Sequence, residues 1–172
     1  MTMLGHALEY TSLGWAVLPL HWIESGLCSC GNQTCNSAGK HPLVAGGSKI
    51  ATTDPKTITD WWTSYPSANI GIATGSVSGL IVVDVDAGPN KSGYSSLAAL
   101  EAEHGEIPRD HCVTTGSGGL HIYLSAPQAE IRNSASKLAE HIDIRGEGGY
   151  VVAPPSHHLS GNRYTWENAN AH

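Results

Sequence analysis

Residues 80–86 read Leu-Ile-Val-Val-Asp-Val-Asp. Apolar residues that run into two aspartates, one residue apart, constrain this fold more than any other stretch. A short apolar run suits a strand buried on both faces. Alternation along the strand then places Asp84 and Asp86 on one face. Neighbouring carboxylates repel unless positive charge lies between them. No basic residue falls between Gly79 and Asp86. The natural partner is therefore a hard divalent cation, which prefers oxygen ligands. The plainer alternative is that one Asp caps a turn and the other is solvated.

The bulk numbers set limits. A chain of 172 residues corresponds to one ordinary domain with a real core. With 40% apolar and 14% charged residues, wholesale disorder is excluded. Twenty glycines and nine prolines point to turns and strands rather than a helical bundle. Phe is absent, leaving Trp and Tyr to fill the core. A net charge of −6 argues against a free-standing nucleic-acid binder with a basic surface. It leaves room for an enzyme that grips nucleic acid through a few contacts and bound metal ions. No apolar run is long enough to span a membrane, and no export signal precedes residue 20, so a cytoplasmic protein is expected.

Along the chain, residues 2–13 read as a helix with Leu4, Ala7, Leu8 and Thr11 on one stripe, stopped by Gly14. Residues 16–20 form a short strand. Asp54 caps a helix with Pro55 at its first position, and Ile58, Trp61, Trp62 and Tyr65 fall on one face, suited to the core. Residues 69–74 make a strand leading into Gly75. Its glycines leave bare backbone, open either to a ligand or to simple turn geometry. A loop over 87–93 precedes a helix over 94–104 that ends at Gly105. Residues 112–115 form a strand in which Cys112 is a buried thiol. Residues 164–166 form a final edge strand.

Residues 28–41 are polar and lack apolar periodicity, which makes them a loop. Cys28, Cys30 and Cys35 with His41 supply three thiolates and an imidazole, the ligand set of a closed structural zinc site. The alternative is a group of free thiols.

Residues 116–123, Gly-Ser-Gly-Gly-Leu-His-Ile-Tyr, form a glycine-rich turn and an outgoing strand. Such a turn can present backbone N–H groups to an anion such as phosphate. Ile122 is expected to face the core, with His121 and Tyr123 on the other side. Residues 142–145 and 150–153 read as two strands of a hairpin around a glycine-rich turn. Asp143 and Arg145 project to one face, and both need partners there. A metal ion for the first and a phosphate for the second would supply them.

Taken together, the motifs resemble those of the bifunctional primase-polymerase (prim-pol) family of the archaeo-eukaryotic primase superfamily. They are Gly39-Lys40-His41-Pro42, the Trp61-Trp62 helix, Asn69-Ile-Gly-Ile-Ala-Thr-Gly75, Val83-Asp-Val-Asp86, Ser117-Gly-Gly-Leu-His121, Ile142-Asp-Ile-Arg-Gly146 and Gly149-Tyr-Val-Val-Ala-Pro-Pro-Ser156. The resemblance covers nearly the whole chain. It implies an α+β fold: an RRM-like catalytic core with an N-terminal α/β part and a zinc-binding loop over about residues 27–42, all within one catalytic domain, 1–172.

The resemblance also implies roles. The catalytic carboxylates fall on Asp84, Asp86 and Asp143, which would hold two Mg²⁺ or Mn²⁺ ions for template-directed nucleotidyl transfer. His121 falls on the phosphate-binding histidine, with Ser117, Gly118 and Gly119 forming the turn. Arg145 is assigned a triphosphate contact, and Asn69, Thr74 and Gly75 a place along the nucleotide pocket. The implied partners are a single-stranded DNA template with primer, dNTP or NTP, and a helicase in the same full-length chain or in trans. Relatives of this kind serve phage, plasmid and mobile-element replication, so this chain reads as a fragment of a longer replication protein. Two features depart from the family. Leu120 precedes the motif histidine where relatives often carry a basic residue, and nine Lys and Arg argue against strong autonomous template binding.

Three rival readings stand beside this one. Three Asp and a His equally suit a metal-dependent nuclease or phosphodiesterase. A non-catalytic, zinc-containing nucleic-acid-binding module would leave the acidic residues unexplained. The blandest reading is a zinc-stabilised α+β domain whose acids only cap turns.

Overall fold

The computed structural model describes residues 1–167. The chain runs α1 (Met3–Ser12), β1 (Val17–Leu20), β2 (Ile23–Glu24), β3 (Leu27–Cys28), α2 (Pro55–Ser64), β4 (Asn69–Ala73) and β5 (Leu80–Val85). It continues through β6 (Ala87–Gly88), β7 (Lys91–Ser92), α3 (Gly93–His104), β8 (Cys112–Thr114) and β9 (Leu120–Ser125). The last elements are β10 (Ser134–Ala139), β11 (Ile142–Arg145), β12 (Tyr150–Ala153) and β13 (Thr165–Trp166). The result is the expected mixed α+β fold.

Local chemistry explains the helices. The Thr2 hydroxyl accepts the Gly5 N–H at 3.1 Å and opens α1. The Asp54 carboxylate accepts the Thr57 N–H at 2.9 Å, and Pro55 occupies the first turn of α2. Ile58 and Trp62 of α2 are fully buried, as the spacing requires. Tyr65 is not on that face. The helix ends at Ser64 before Pro66, and Tyr65 turns outward, 40% exposed.

Two antiparallel sheets carry most of the strands, beside the two-stranded ribbons β2-β3 and β6-β7. The first has the order β1-β4-β12, and Pro19 lies in its edge strand β1, where a missing N–H is tolerated. The second has the order β10-β11-β5-β9-β8-β13, which puts β5 at the centre and the expected 164–166 strand at one edge. Alternation sends Leu80 and Val82 of β5 into the main core, and Val83 and Val85 into a second cluster. The second cluster includes Leu97 of α3, Cys112 and Ile122. Both faces of β5 are therefore buried, as its sequence demands.

The same holds for β9, which corrects one expectation. Tyr123 does not turn away from the core. It is buried in the main cluster, its ring centroid 5.7 Å from Trp15 and 5.2 Å from Trp166. Tyr10, Trp15, Trp62, Tyr123 and Tyr164 are all buried, filling the space that Phe would occupy elsewhere.

The expected 142–153 hairpin does not form. Strand β11 pairs with β5 in the larger sheet, whereas β12 pairs with β4 in the smaller one. Residues 146–149 cross between the sheets instead of reversing the chain. The glycines serve that passage. A Cβ on Gly146 would stand 2.1 Å from the Ile131 carbonyl oxygen, and one on Gly149 would stand 2.3 Å from Asn133 Oδ1. The crossing brings the two sheets together around one cleft.

Candidate active site

The larger sheet aligns three of the predicted residues in one row. Asp84 of β5 is directly opposite Asp143 of β11 on one side and His121 of β9 on the other. Cross-strand partners share a face, so the three side chains meet without any loop having to be positioned. His121 Nε2 lies 3.4 Å from Asp84 Oδ1. Asp86 follows Asp84 by one pleat, just past the end of β5, where its N–H donates to the His141 carbonyl at 3.0 Å.

Positive charge comes from outside the Gly79–Asp86 stretch. Arg145, two residues beyond Asp143, donates through Nη2 to Asp84 Oδ2 at 3.0 Å and to Asp143 Oδ2 at 2.9 Å. Lys91 on β7 pairs with Asp86 at 2.9 Å. Burial alone would raise the Asp84 carboxyl. The hydrogen bond and charge of His121, together with Arg145, outweigh it and hold the group down to about 2. Asp84 therefore stays ionised although it is largely buried.

These residues open onto a cleft of about 500 Å³. Asp84, Asp86, Ser117, His121 and Arg145 line it, whereas Asp143 does not and only holds one of the lining residues, Arg145. The glycine-rich turn contributes differently from the expectation. The Gly118 N–H donates to the Thr115 carbonyl and the Gly119 N–H to the Thr115 hydroxyl, both at 2.9 Å. Their donors close the turn itself, and it is the Ser117 side chain, 3.1 Å from the Thr115 hydroxyl, that lines the cleft.

Beside the cleft lies the cysteine loop. It begins in the β2–β3 ribbon, so its first ligand, Cys28, sits on a strand. The ligand atoms of Cys28, Cys30, Cys35 and His41 all lie within 4.8 Å of one another. Cys28 Sγ and His41 Nε2 are 3.4 Å apart. Burial raises the Cys28 thiol, but hydrogen bonds from Cys30, Gly39 and His41 bring it down to about 6, favouring the thiolate that binds metal. Three thiols and an imidazole at this closeness fit a tetrahedral zinc ion.

The family model described as bifunctional DNA primase/polymerase, N-terminal (Prim-Pol), matches residues 7–171. The chain belongs to the Prim-Pol family. Comparison with curated proteins finds no match. Membership implies nucleotidyl-transfer chemistry, and in this Prim-Pol chain Asp143, Asp84 and His121 stand in one row on adjacent strands. Among the described residues no helix is long and apolar enough to cross a membrane.

Three residues assigned to the nucleotide pocket, Asn69, Thr74 and Gly75, do not line this cleft in the Prim-Pol chain. Asn69 is fully buried and joins three segments: Nδ2 donates to the carbonyls of Gly39 and His157 at 2.8 Å, and Oδ1 accepts the His157 N–H at 2.9 Å. Thr74 is buried and donates to the Gly146 carbonyl at 2.7 Å. Gly75, at φ +91°, packs against Glu147, whose Cα would be 2.6 Å from an added Cβ. All three anchor chain crossings, because at each the backbone is already occupied by another segment.

Lys40, Lys91, Thr115, Asn133, Tyr150 and Tyr164 also line the cleft without having been picked out from sequence. Of these, Lys40 and Tyr150 carried a signal, within Gly39-Lys40-His41-Pro42 and Gly149-Tyr-Val-Val-Ala-Pro-Pro-Ser156. Three of the nine basic residues thus converge on one cleft. That concentration gathers positive charge at one place on an acidic chain.

Proposed function

We propose that this chain performs template-directed nucleotidyl transfer, the DNA primase and polymerase chemistry of a phage- or plasmid-type replication protein. The observation that carries the reading is the row Asp143–Asp84–His121 on adjacent strands, whose Asp84 and His121 face a cleft walled by Lys40, Lys91 and Arg145, in a Prim-Pol chain.

Asp84, Asp86 and Asp143 offer only hard oxygen donors, which fits Mg²⁺ or Mn²⁺. Such ions, when bound, stabilise the attacking and leaving oxygens of an in-line displacement. The residues of the chain supply the rest. His121 is held against Asp84 and donates to a phosphate oxygen in the cleft. Arg145 keeps Asp84 and Asp143 from repelling each other, and its Nη1, which makes no bond among the described residues, faces incoming phosphate. Ser117 adds a hydroxyl at the turn. The partners are a primer on a single-stranded template and a nucleoside triphosphate, with strand separation supplied by a helicase.

The test is a labelled primer-template with dNTPs and Mg²⁺ or Mn²⁺. Template-dictated extension supports the reading, and synthesis without the primer extends it to priming. Shortening of the primer without any need for triphosphate would replace it with two-metal hydrolysis.

A further inference from the structure

The cysteine loop and the cleft are joined at one residue. Lys40 sits immediately before the ligand His41, yet it lines the same cleft as Asp84 and Asp86. Its backbone is fixed from several directions. Its N–H donates to the Ser37 carbonyl at 2.9 Å, and its carbonyl accepts the Tyr150 hydroxyl at 3.0 Å. On either side, the Gly39 carbonyl is held by Asn69 at 2.8 Å and the His41 carbonyl by the His21 N–H at 2.9 Å.

The side chain is treated very differently. Lys91 and Arg145 are each paired with a carboxylate. The Lys40 ammonium makes no hydrogen bond or ion pair among the described residues, although it is only partly exposed and lies in the field of Asp84, Asp86, Lys91 and Arg145. A rigidly mounted, partly buried cation without a partner is oriented toward something that arrives. A polyphosphate gathers several charges within a few ångströms, whereas a template backbone offers one per nucleotide. Three cations around one cleft match the former.

Resting on the nucleotidyl-transfer reading, we propose that Lys40 is a binding residue for the triphosphate tail of the incoming nucleotide and that the Cys28/Cys30/Cys35/His41 loop serves to position it. The zinc-type loop is then part of the substrate site as well as a structural staple.

The test measures equilibrium binding, independent of turnover. The full chain in its zinc-loaded form is titrated with a non-hydrolysable α,β-imido dNTP in Mn²⁺, with the matching monophosphate and with inorganic tripolyphosphate. Parent, Lys40→Met and Lys40→Arg are compared in this form, with zinc content and melting curves as folding controls, and Cys30→Ser is compared below its own melting transition without its full complement of zinc. Losing a charge-assisted contact should weaken triphosphate and tripolyphosphate binding of Lys40→Met by roughly tenfold or more. Monophosphate binding, zinc content and melting temperature should stay unchanged, and Lys40→Arg should recover most of the loss. Cys30→Ser should show the same selective loss, and combining it with Lys40→Met should add little.

If Lys40→Met binds the triphosphate as tightly as the parent, the assignment is overturned while the nucleotidyl-transfer reading stands. If it instead weakens an oligonucleotide and spares tripolyphosphate, Lys40 is a template contact. If Cys30→Ser keeps parental affinity, the loop does not position Lys40. A parent chain that binds no triphosphate overturns both readings.

Discussion

The cysteine loop and the carboxylate cleft both gather metal-type ligands, and they do so in opposite ways. The loop draws Cys28, Cys30, Cys35 and His41 from one short segment and holds their ligand atoms within 4.8 Å of one another. The cleft draws its acids from β5, from the residue just past its end, and from β11, and each acid is already engaged by Arg145 or Lys91. A pre-converged set of four ligands has no open position and suits a permanent structural ion. Acids paired with cationic side chains suit charges that can be exchanged for those of a substrate. The difference separates a site that completes the fold from one that waits for ligands.

The largest expected effect lies in the cleft and should leave the loop untouched. Asp84→Ala removes the centre of the Asp143–Asp84–His121 row. Single-turnover primer extension should fall by at least roughly 10²–10³-fold, the scale for losing one preorganised electrostatic element. Zinc content should stay at the parent's, and the melting temperature should fall only by the few degrees that loss of the Asp84 charge accounts for. Full extension by this variant would end the catalytic assignment of the row.

The loop should show its effect first in metal content and stability. Cys30→Ser removes one of four converged ligands. The expected result is loss of stoichiometric zinc by elemental analysis. A stability loss of about 2–3 kcal/mol should lower the melting temperature by roughly 5–10 °C in a chain of this length. A parent protein purified without stoichiometric zinc would show that the thiols are not a metal site.

The same contrast explains what was legible in the sequence. The loop ligands are local, so spacing alone grouped them. The strand carrying Asp84 and Asp86 announced itself through its apolar run, and the helices through Asp54-Pro55 and their periodicity. The partner of the acids was not legible, because Arg145 reaches Asp84 across a strand pairing of sixty-one residues' separation. Strand β10 was missed because Ser134–Ala139 is largely exposed and has no alternating apolar pattern. The 142–153 segment read as a hairpin because a glycine-rich turn between strands has the same composition whether it reverses the chain or crosses between sheets. Asn69 was given a place along the pocket by the resemblance alone, and a motif does not tell whether its polar residue meets a ligand or another part of the chain.

Asn69 offers an intermediate test of that distinction. Asn69→Ala would strand the buried carbonyls of Gly39 and His157 and the His157 N–H. Leaving such groups unpaired should cost about 2–3 kcal/mol in urea unfolding. Unchanged stability accompanied by weakened nucleotide binding would return Asn69 to the pocket.

The smallest effect is a pH window that belongs to the cleft alone. Asp84 has a folded pKa of about 2 against an ordinary value of 3.8. A depressed carboxyl contributes stability above its unfolded pKa and loses it as the pH falls through the folded value. The contribution is therefore complete above about pH 4, shrinks between about pH 4 and 2, and amounts to something of order 2 kcal/mol. Because His121 and Arg145 are its sources, Asp84→Asn, which keeps the shape and removes the charge, should abolish it. Urea unfolding of both proteins, in chelator and across this range, should show a stability gap that is constant at higher pH and closes on acidification. A gap that stays constant down to pH 2 would mean that His121 and Arg145 do not hold Asp84 ionised, and that the cleft, like the loop, is organised by its ligands rather than by its charges.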